Sequence, residues 1–205
     1  MRGLHGQAFI TLKEGAIPQR QRPYKQHGEK DEAMKKIAQD WLDKKFIEPP
    51  TAENCEWLCQ AFAVPKKSTT FPWRGVVDMR GPNSQMVSSN YPLPCIEDIL
   101  IEQGKNFIFS VLDLRQAFHQ QPMREDSRPI TCTYTPLGLF QWKVNGMGLK
   151  NASVQFQHMM DDILSSVKDT ANCYIDDIIV GTKVVEGRIF LPSMTNISGD
   201  RKSVV

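Results

Sequence analysis

The stretch NCYIDDIIVGT, residues 172–182, sets Asp176 and Asp177 side by side within a strongly apolar run. A run of this kind predicts a buried β-strand, yet two ionised carboxylates are costly to bury without partners. The conflict disappears if CYI and IIV form the arms of a tight hairpin with both aspartates at its tip. Because two carboxylates at one point repel each other, this hairpin tip favours a bound cation.

A third carboxylate, Asp113, lies at the end of the apolar run FIFSVLDL, which predicts a central strand. If this strand neighbours the hairpin, three carboxylates converge, and such oxygen ligands select Mg²⁺ or Mn²⁺. Two such ions about 3.5–4 Å apart support phosphoryl transfer. The similar pair Asp161 and Asp162 falls inside a predicted helix, and we interpret it as a solvated helix face.

The overall composition predicts a globular protein with one domain, or one domain with tails. The chain has 205 residues, 40% of them hydrophobic, which is sufficient for a substantial core. Its net charge of +2 does not by itself indicate a nucleic-acid-binding protein. Residues 65–82, however, form a locally basic segment with a single acidic residue, Asp78. Its basic residues are Lys66, Lys67, Arg74 and Arg80.

The five cysteines include no CxxC pair and no histidine at ligand spacing, so we expect reduced intracellular thiols. The N-terminus shows no signal-peptide pattern, and no apolar run approaches the roughly 18 residues of a membrane helix. These patterns predict an intracellular protein that does not bind membranes.

Helical and strand-like segments alternate without βαβ regularity, which predicts an α+β fold with an antiparallel sheet. The predicted elements are an extended arm over residues 1–30, an amphipathic helix capped by Asp31 and ended by Pro49 and Pro50, a hairpin over 58–79, a helix from Pro94 to Gly104, a second hairpin turning at Pro136 to Gly138, and a helix capped by Asn151.

Five blocks, WRGVVDMRGPN, YPLP, VLDLRQAFHQ, MGLKNASVQFQHMM and YIDDIIV, occur in this order between Lys13 and Thr182. Together they resemble the reverse transcriptase of a retroviral-type pol polyprotein, closest to the gypsy class of long-terminal-repeat retrotransposons. The resemblance implies an RNA-directed DNA polymerase that extends a primer on an RNA or DNA template with deoxynucleoside triphosphates. It also implies two Mg²⁺ ions, with Mn²⁺ as an alternative, and a parent polyprotein that carries ribonuclease H.

The resemblance further implies the fingers and palm of a right-hand polymerase, with an antiparallel palm sheet flanked by helices and without the thumb. The implied ranges are an arm at 1–30, fingers at 31–88 and 121–150, palm at 89–120 and 151–182, and a disordered tail outside the family at 183–205.

The resemblance assigns site residues by position. Asp113, Asp176 and Asp177, with the backbone of Leu114, match the metal ligands. The residues that match nucleotide contacts are Lys66, Arg74, Arg115, Gln116, Ala117, Phe118, Met147 and Gly148, with Phe118 as the aromatic ring that excludes a 2′-hydroxyl. The residues that match template or primer contacts are Arg80, Asn83, Gln157, Tyr174 and Ile175.

Some positions depart from the family pattern. Gly146 and Ser153 stand where the family has prolines, and residues 183–205 show no family blocks. We therefore expect a fragment with weak or no activity. Two alternatives stay open: a non-enzymatic retroelement remnant that at most binds nucleic acid, and another two-metal phosphoryl-transfer enzyme such as a nuclease, which has no need for Phe118. The family suggests cytoplasmic virus-like particles, and the sequence does not specify the oligomeric state.

Overall fold

A computed structural model describes residues 6–51, 55–67, 70–182, 184–185 and 188–189. The chain divides into two compact units. The first unit comprises Met1–Ser89 and Phe118–Ala152, and the second comprises Asn90–Ala117 and Ser153–Val205. In the described part of the chain, no helix combines the length and the apolar character needed to cross a membrane.

Helices and strands are mixed along the chain, which confirms the predicted α+β class. In chain order the elements are α1 (Glu29–Asp43), β1 (Ile47–Glu48), β2 (Cys59–Pro65), β3 (Trp73–Val77), α2 (Arg80–Gln85), α3 (Ile96–Gln103), β4 (Ile108–Asp113), β5 (Thr133–Thr135), β6 (Gly138–Trp142), α4 (Ala152–Ile163), β7 (Ala171–Tyr174), β8 (Asp177–Thr182), β9 (Val184–Val185) and β10 (Arg188–Ile189).

The first unit contains a five-stranded sheet in the order β1-β6-β5-β2-β3. The hairpins β2–β3 and β5–β6 are both antiparallel, as the sequence predicted. Strands β2 and β5 pair in parallel, so this sheet is mixed rather than wholly antiparallel. No local pattern indicates this pairing, because turn residues mark hairpins whereas a parallel pair has no local signal.

Helix α1 begins at Glu29, two residues before the predicted cap Asp31. Gly28 occupies the N-cap position, and Asp31 instead pairs with Lys35 at 2.9 Å within the first turns. Aspartate is favoured at the N-cap and also within the first turn, where its charge interacts with the helix dipole. The residue type alone therefore does not show which of these two positions Asp31 occupies.

The end of α1 also differs from the prediction. The helix ends at Asp43, before Pro49 and Pro50, because Lys45 adopts a left-handed conformation with φ of 58° and the chain turns there into β1. The predicted amphipathic face is confirmed, since the helix buries Ala33, Met34, Ile37, Ala38 and Trp41.

Part of the N-terminal arm enters the core of the first unit. Ala8 is 1% exposed and Ile10 is 6% exposed. Ala8 forms a β-bridge with Met123, and the Ile10 amide donates to Ser127 Oγ at 3.0 Å. This segment therefore contributes Ala8 and Ile10 to the core, whereas Phe9 between them is 41% exposed.

The cysteine prediction is wrong for one pair. Cys55 and Cys132 form a disulfide across 77 residues of sequence, with Cα atoms 6.4 Å apart, whereas Cys59, Cys95 and Cys173 are free. The Cys59 amide donates to the Cys132 carbonyl at 2.8 Å, next to the parallel pairing of β2 with β5. The cysteines meet because of this unpredicted pairing.

The second unit contains an antiparallel sheet in the order β4-β8-β7. Strand β4 was predicted to be central, but among the described residues it is an edge strand, with Phe109 and Val111 47% and 69% exposed. An apolar run specifies a strand but not how many neighbours it has. The strongly buried side chains of this unit include Phe156, Met160, Leu164, Ile178 and Val180.

Helices α3 and α4 confirm the two helices predicted in this part of the chain, with Gly104 following α3 as expected. The predicted cap Asn151 bonds elsewhere, because its amide accepts from the Ser89 backbone and donates to the Val87 carbonyl. Ile163, the last residue of α4, is 46% exposed. Beyond β8, the pair β9–β10 is described within the predicted tail, and residues 190–205 lie outside the described part of the chain.

Gly75 lies where β3 approaches α1 closely. A Cβ atom at this position would lie 2.6 Å from Ile37 Cγ2 and still closer to the Trp41 ring. Gly75→Ala should therefore force the two elements apart and lower the free energy of unfolding by about 1–3 kcal/mol. Urea denaturation followed by circular dichroism measures this loss.

Gly146→Ala is the matched control in the same unit. A Cβ there would meet nothing closer than 3.9 Å, and Gly146 is not among the glycines with positive φ. This variant should leave the free energy of unfolding unchanged or raise it by about 0.4–1 kcal/mol. Equal losses in the two variants would contradict the steric explanation.

His119 is partly buried beside two aromatic rings, with ring centroids 4.5 Å from Phe46 and 5.7 Å from Trp142. Burial, and then the charge of Lys44, lowers the pKa of this imidazole from 6.5 to about 4. Within the described residues, no hydrogen-bond partner faces its Nδ1 atom. The folded chain thus holds a neutral histidine.

The depressed pKa of His119 predicts pH-dependent stability. In the unfolded chain the His119 imidazole becomes protonated near pH 6.5, whereas in the folded chain it stays neutral down to about pH 4. The contribution of this group to the free energy of unfolding is therefore complete above pH 6.5 and is lost as the pH falls. Between these values the free energy of unfolding should fall by up to about 1.4 kcal/mol per pH unit. Urea denaturation at several pH values should show a smaller slope for His119→Phe, whereas the exposed control His27→Gln should keep the wild-type slope.

Candidate functional site

Two of the three predicted metal ligands lie directly opposite each other. Asp113 is the last residue of β4, Asp177 is the first residue of β8, and the antiparallel register pairs them. Directly opposed residues project from the same face of a sheet, with Cβ atoms about 4.5–5.5 Å apart. Both side chains are exposed. The register therefore places two carboxylates together at one end of the sheet.

The hairpin between β7 and β8 turns one residue earlier than predicted. Asp177 pairs with Tyr174, so the turn consists of Ile175 and Asp176 rather than the two aspartates. The Leu114 amide donates to the Asp176 carbonyl at 3.1 Å, which ties the end of β4 to this turn. All three aspartates thus lie at or next to the same strand ends.

Ile175 has an unusual backbone conformation. It is one of three non-glycine residues with positive φ in the described part of the chain, and its φ is 58°. Positive φ at only the first turn residue is a feature of the type II′ turn, where glycine is usual. A β-branched residue is strained there, and such strain persists only where the surroundings hold it.

Gln157, predicted to contact template or primer, is fully buried and holds this turn instead. It accepts from the Ile175 amide at 2.7 Å and donates to the Cys173 carbonyl at 3.0 Å. A side chain with no exposed area cannot bind nucleic acid in this conformation, so the structure contradicts the predicted contact. The helical period offered a clue, because Gln157 lies three residues before the buried Met160 and so on the same face of α4.

The prediction that Asp161 and Asp162 form a solvated helix face is correct for only one of the two residues. Asp162 is exposed, but Asp161 accepts hydrogen bonds from the Tyr91 hydroxyl and from Gln157 Nε2, the latter at 2.8 Å. The bond to Asp161 raises the pKa of Tyr91 to about 12, so Tyr91 keeps the proton that it donates. Sequence reasoning missed this role of Asp161, although its position four residues after Gln157 was a usable signal.

The Cys173 thiol also supports the turn. Burial first, and then the charges of Asp161, Asp176 and Asp177, raise its pKa to about 12. Its sulfur lies 3.1 Å from the Ile175 carbonyl, to which the protonated thiol donates. Both backbone groups of Ile175 are therefore engaged by side chains of the second unit.

The donor set at this sheet end fits hard divalent cations. Carboxylate oxygens select Mg²⁺ or Mn²⁺ over softer metals. Among the described residues, no group of three or more His, Cys, Asp or Glu side chains is arranged to hold a metal ion. The fit thus rests on the shared face of Asp113 and Asp177 and on the adjacent turn.

The predicted triphosphate contacts Lys66 and Arg74 lie on the β2–β3 hairpin of the first unit. Both are exposed, and Arg74 pairs across the hairpin with Val64. The Lys66 amide donates to the Pro72 carbonyl at 2.8 Å, while its ammonium lies 6.0 Å from the Phe71 ring centroid. Their role in binding a nucleotide stays a prediction.

The segment after β4 carries four more predicted nucleotide contacts. Arg115 and Gln116 are exposed, and Gln116 has a φ of 55°. Ala117 is 3% exposed. Phe118 is partly buried and packs against the core of the first unit, so part of its ring has the structural role of an ordinary core aromatic. Its selection against a 2′-hydroxyl stays a prediction.

Met147 and Gly148 lie on an exposed loop of the first unit that Asn83 holds in place. The Asn83 amide donates to the Gly148 carbonyl at 2.7 Å and accepts from the Lys150 amide at 2.8 Å. Gly148 has a φ of 94°, which requires glycine. Asn83 was predicted to contact the template, but both ends of its amide bind this loop, so the structure gives it a positioning role.

Arg80, another predicted template contact, forms an ion pair with Asp78 in which the nearest atoms are 2.6 Å apart. The Arg80 side chain is 89% exposed, and exposed pairs contribute little to stability. The guanidinium is thus accessible, and its template contact stays a prediction. Tyr174 and Ile175 are both partly buried, and contacts between them and the primer are likewise untested predictions.

Residues 64–190 match the family described as reverse transcriptase (RNA-dependent DNA polymerase). This match extends eight residues past the predicted family boundary at Thr182 and includes β9 and β10.

The curated relatives of the chain include polyproteins of transposons. The chain is 35% identical over 159 residues to the retrovirus-related Pol polyprotein from transposon 412 of Drosophila melanogaster, covering 75% of this chain and 12% of that protein. It is 30% identical over 184 residues to the transposon Tf2-3 polyprotein of Schizosaccharomyces pombe, covering 89% of this chain and 13% of the relative. The chain thus spans about an eighth of the length of these relatives. The resemblance drawn from the five sequence blocks is confirmed: the chain belongs to the reverse transcriptase (RNA-dependent DNA polymerase) family.

Proposed function

We propose that this chain is the fingers and palm portion of an RNA-directed DNA polymerase that adds deoxynucleotides to a primer 3′-hydroxyl with two divalent cations. The observation that carries this proposal is the register of β4 and β8, which sets Asp113 opposite Asp177 beside the turn that holds Asp176. Family membership supplies the reaction class, and the register supplies a place for its cations.

The two compact units support the assignment of fingers and palm. The chain passes between units after Ser89, Ala117 and Ala152, close to the boundaries after residues 88, 120 and 150 that the resemblance implied. On this proposal the first unit is the fingers and the second is the palm, whose antiparallel sheet is β4-β8-β7.

Asp113, Asp176 and Asp177, with the Leu114 carbonyl, would hold two Mg²⁺ or Mn²⁺ ions. When bound, these ions activate the attacking primer oxygen and neutralise charge on the transferred phosphates. Because the reaction requires mainly positioning and electrostatic stabilisation, the contribution of the chain is to fix carboxylates on one face of the sheet.

The remaining roles concern substrate binding. Lys66 and Arg74 would donate to the triphosphate as cationic groups, and the Phe118 ring would lie under the sugar and leave no room for a 2′-hydroxyl. Template and primer would be bound mainly through their phosphates, so binding should weaken with salt and depend little on sequence.

The first test measures cation binding directly. Asp113→Asn and Asp177→Asn should each weaken Mn²⁺ binding by at least about 10-fold, because loss of a ligand should cost no less than loss of an outer-shell partner. The electron paramagnetic resonance signal of free Mn²⁺ gives the dissociation constant. Asp162→Asn removes the same charge from an exposed site on α4 and should bind as the wild type does. Equal Mn²⁺ affinity in all of these variants would contradict the proposed metal site.

The second test separates a polymerase from a nuclease. Single-nucleotide incorporation on an RNA template with a DNA primer and excess protein should be weak but dependent on Asp113. Phe118→Ala should raise the ratio of ribonucleotide to deoxynucleotide incorporation by ~10-fold or more, because a steric block is removed, whereas Phe118→Tyr keeps the ring and the selectivity. A nuclease would degrade the template, and its activity would not respond to Phe118. Cation binding without any incorporation would favour the non-enzymatic remnant.

A further inference from the structure

We propose that Gln157 is a positioning residue for the cation site. Its buried amide, supported by Asp161 and Tyr91, fixes the turn that carries Asp176 and leads into Asp177. This inference rests on the proposed function, since it concerns how the same carboxylates are held in a binding conformation.

The turn requires a holding interaction because its backbone is strained. Ile175 has a φ of 58°, a conformation that a β-branched residue rarely adopts. The next two residues in the chain are the predicted ligands Asp176 and Asp177. If Ile175 relaxed to negative φ, the peptide planes that follow would rotate, and the two carboxylates would be aimed elsewhere.

The orientation of the Gln157 amide is set by its neighbours. Both of its Nε2 hydrogens have acceptors, Asp161 Oδ1 at 2.8 Å and the Cys173 carbonyl at 3.0 Å. Its Oε1 atom must therefore face the Ile175 amide, which donates at 2.7 Å. A reversed amide would place a donor against the Ile175 N–H group and leave two acceptors unpaired, so one orientation is strongly favoured.

Asp161 in turn is held from outside α4. The Tyr91 hydroxyl, from the segment before α3, donates to Asp161 Oδ2, and the Tyr91 ring contacts His158 edge-on with ring centroids 4.6 Å apart. A continuous hydrogen-bonded path thus runs from Tyr91 through Asp161 and Gln157 to Ile175, all within the second unit. Every group in this path has a defined donor or acceptor role.

The inference differs from a purely structural role in what it predicts for cation affinity. A residue that only stabilises the fold would lower the thermal midpoint and leave the Mn²⁺ dissociation constant of the folded protein unchanged. A residue that positions the ligands changes this constant even where the protein is fully folded. Outer-shell partners of metal ligands typically change affinity by about 10- to 100-fold.

The decisive variant is Gln157→Met, which keeps the length and neutrality of the side chain but cannot form the three hydrogen bonds. At a temperature where circular dichroism shows each variant to be folded, it should weaken Mn²⁺ binding by ~10- to 100-fold. Tyr91→Phe should give a smaller loss in the same direction. Asp161→Asn is compared with Asp162→Asn, which removes an equal charge from the adjacent position, and only the former should weaken binding.

Amide hydrogen exchange gives a readout that needs no cation. The Ile175 amide should exchange faster in Gln157→Met and in Tyr91→Phe, while the amides in the centre of β8 keep their wild-type rates. Unchanged Mn²⁺ affinity in the folded variants, or an unchanged exchange rate at Ile175, would overturn the inference. If Gln157→Met fails to fold, Tyr91→Phe carries the same two measurements.

The outcomes also distinguish this inference from the proposed function. If Mn²⁺ binding depends on Asp113 but its affinity is unchanged in Gln157→Met, the positioning role of Gln157 is wrong and the metal site stands. Absence of Asp113-dependent binding in the wild type would remove the metal site and, with it, the effect on cation affinity. Exchange at Ile175 would then still show whether Gln157 holds the turn.

Discussion

The antiparallel register of β4 and β8 is the constraint on which the functional interpretation depends. It sets Asp113 directly across from Asp177, although 64 positions separate them in sequence. A shift by one residue would move the whole set of side chains on one strand to the other face of the sheet. The burial of Ile178 and Val180, which alternate with Asp177 and Ile179, resists such a shift because it would expose both of them.

The strand register does not determine the direction of the Asp176 side chain. The β7–β8 turn supplies this second constraint. Asp176 lies outside the paired residues, so its direction depends on the backbone of Ile175. The chain places a strained residue there and engages its N–H with Gln157 and its C=O with Cys173. Strain at a functional turn is thus held by buried polar groups, whose hydrogen bonds are strong because water is excluded.

Local patterns in the sequence predicted much of the architecture, and long-range pairings set the limit. The hairpins β2–β3 and β5–β6 and the helix α3 followed from turn residues and periodicity, because these signals lie within a few residues of each other. The parallel pair β2–β5, and with it the disulfide of Cys55 and Cys132, joins distant segments for which a single sequence has no marker. For the site, the residue types were predictable, but the intramolecular hydrogen bonds of Asn83 and Gln157 required their partners to be known.

The two Asp-Asp pairs show how context decides the role of a charge. In α4, successive side chains diverge around the helix, so Asp162 faces solvent while Asp161 accepts from Tyr91 and Gln157 and needs no cation. At the β7–β8 turn, no side-chain donor in the described part of the chain bonds to the carboxylates of Asp176 and Asp177. After burial, the charges of Asp161, Asp176 and Asp177 raise the pKa of Cys173. A carboxylate satisfied by neutral donors supports a fold, whereas carboxylates gathered on one exposed sheet end favour a divalent cation. On this proposal Asp161, and not Asp162, supports the second pair through Gln157.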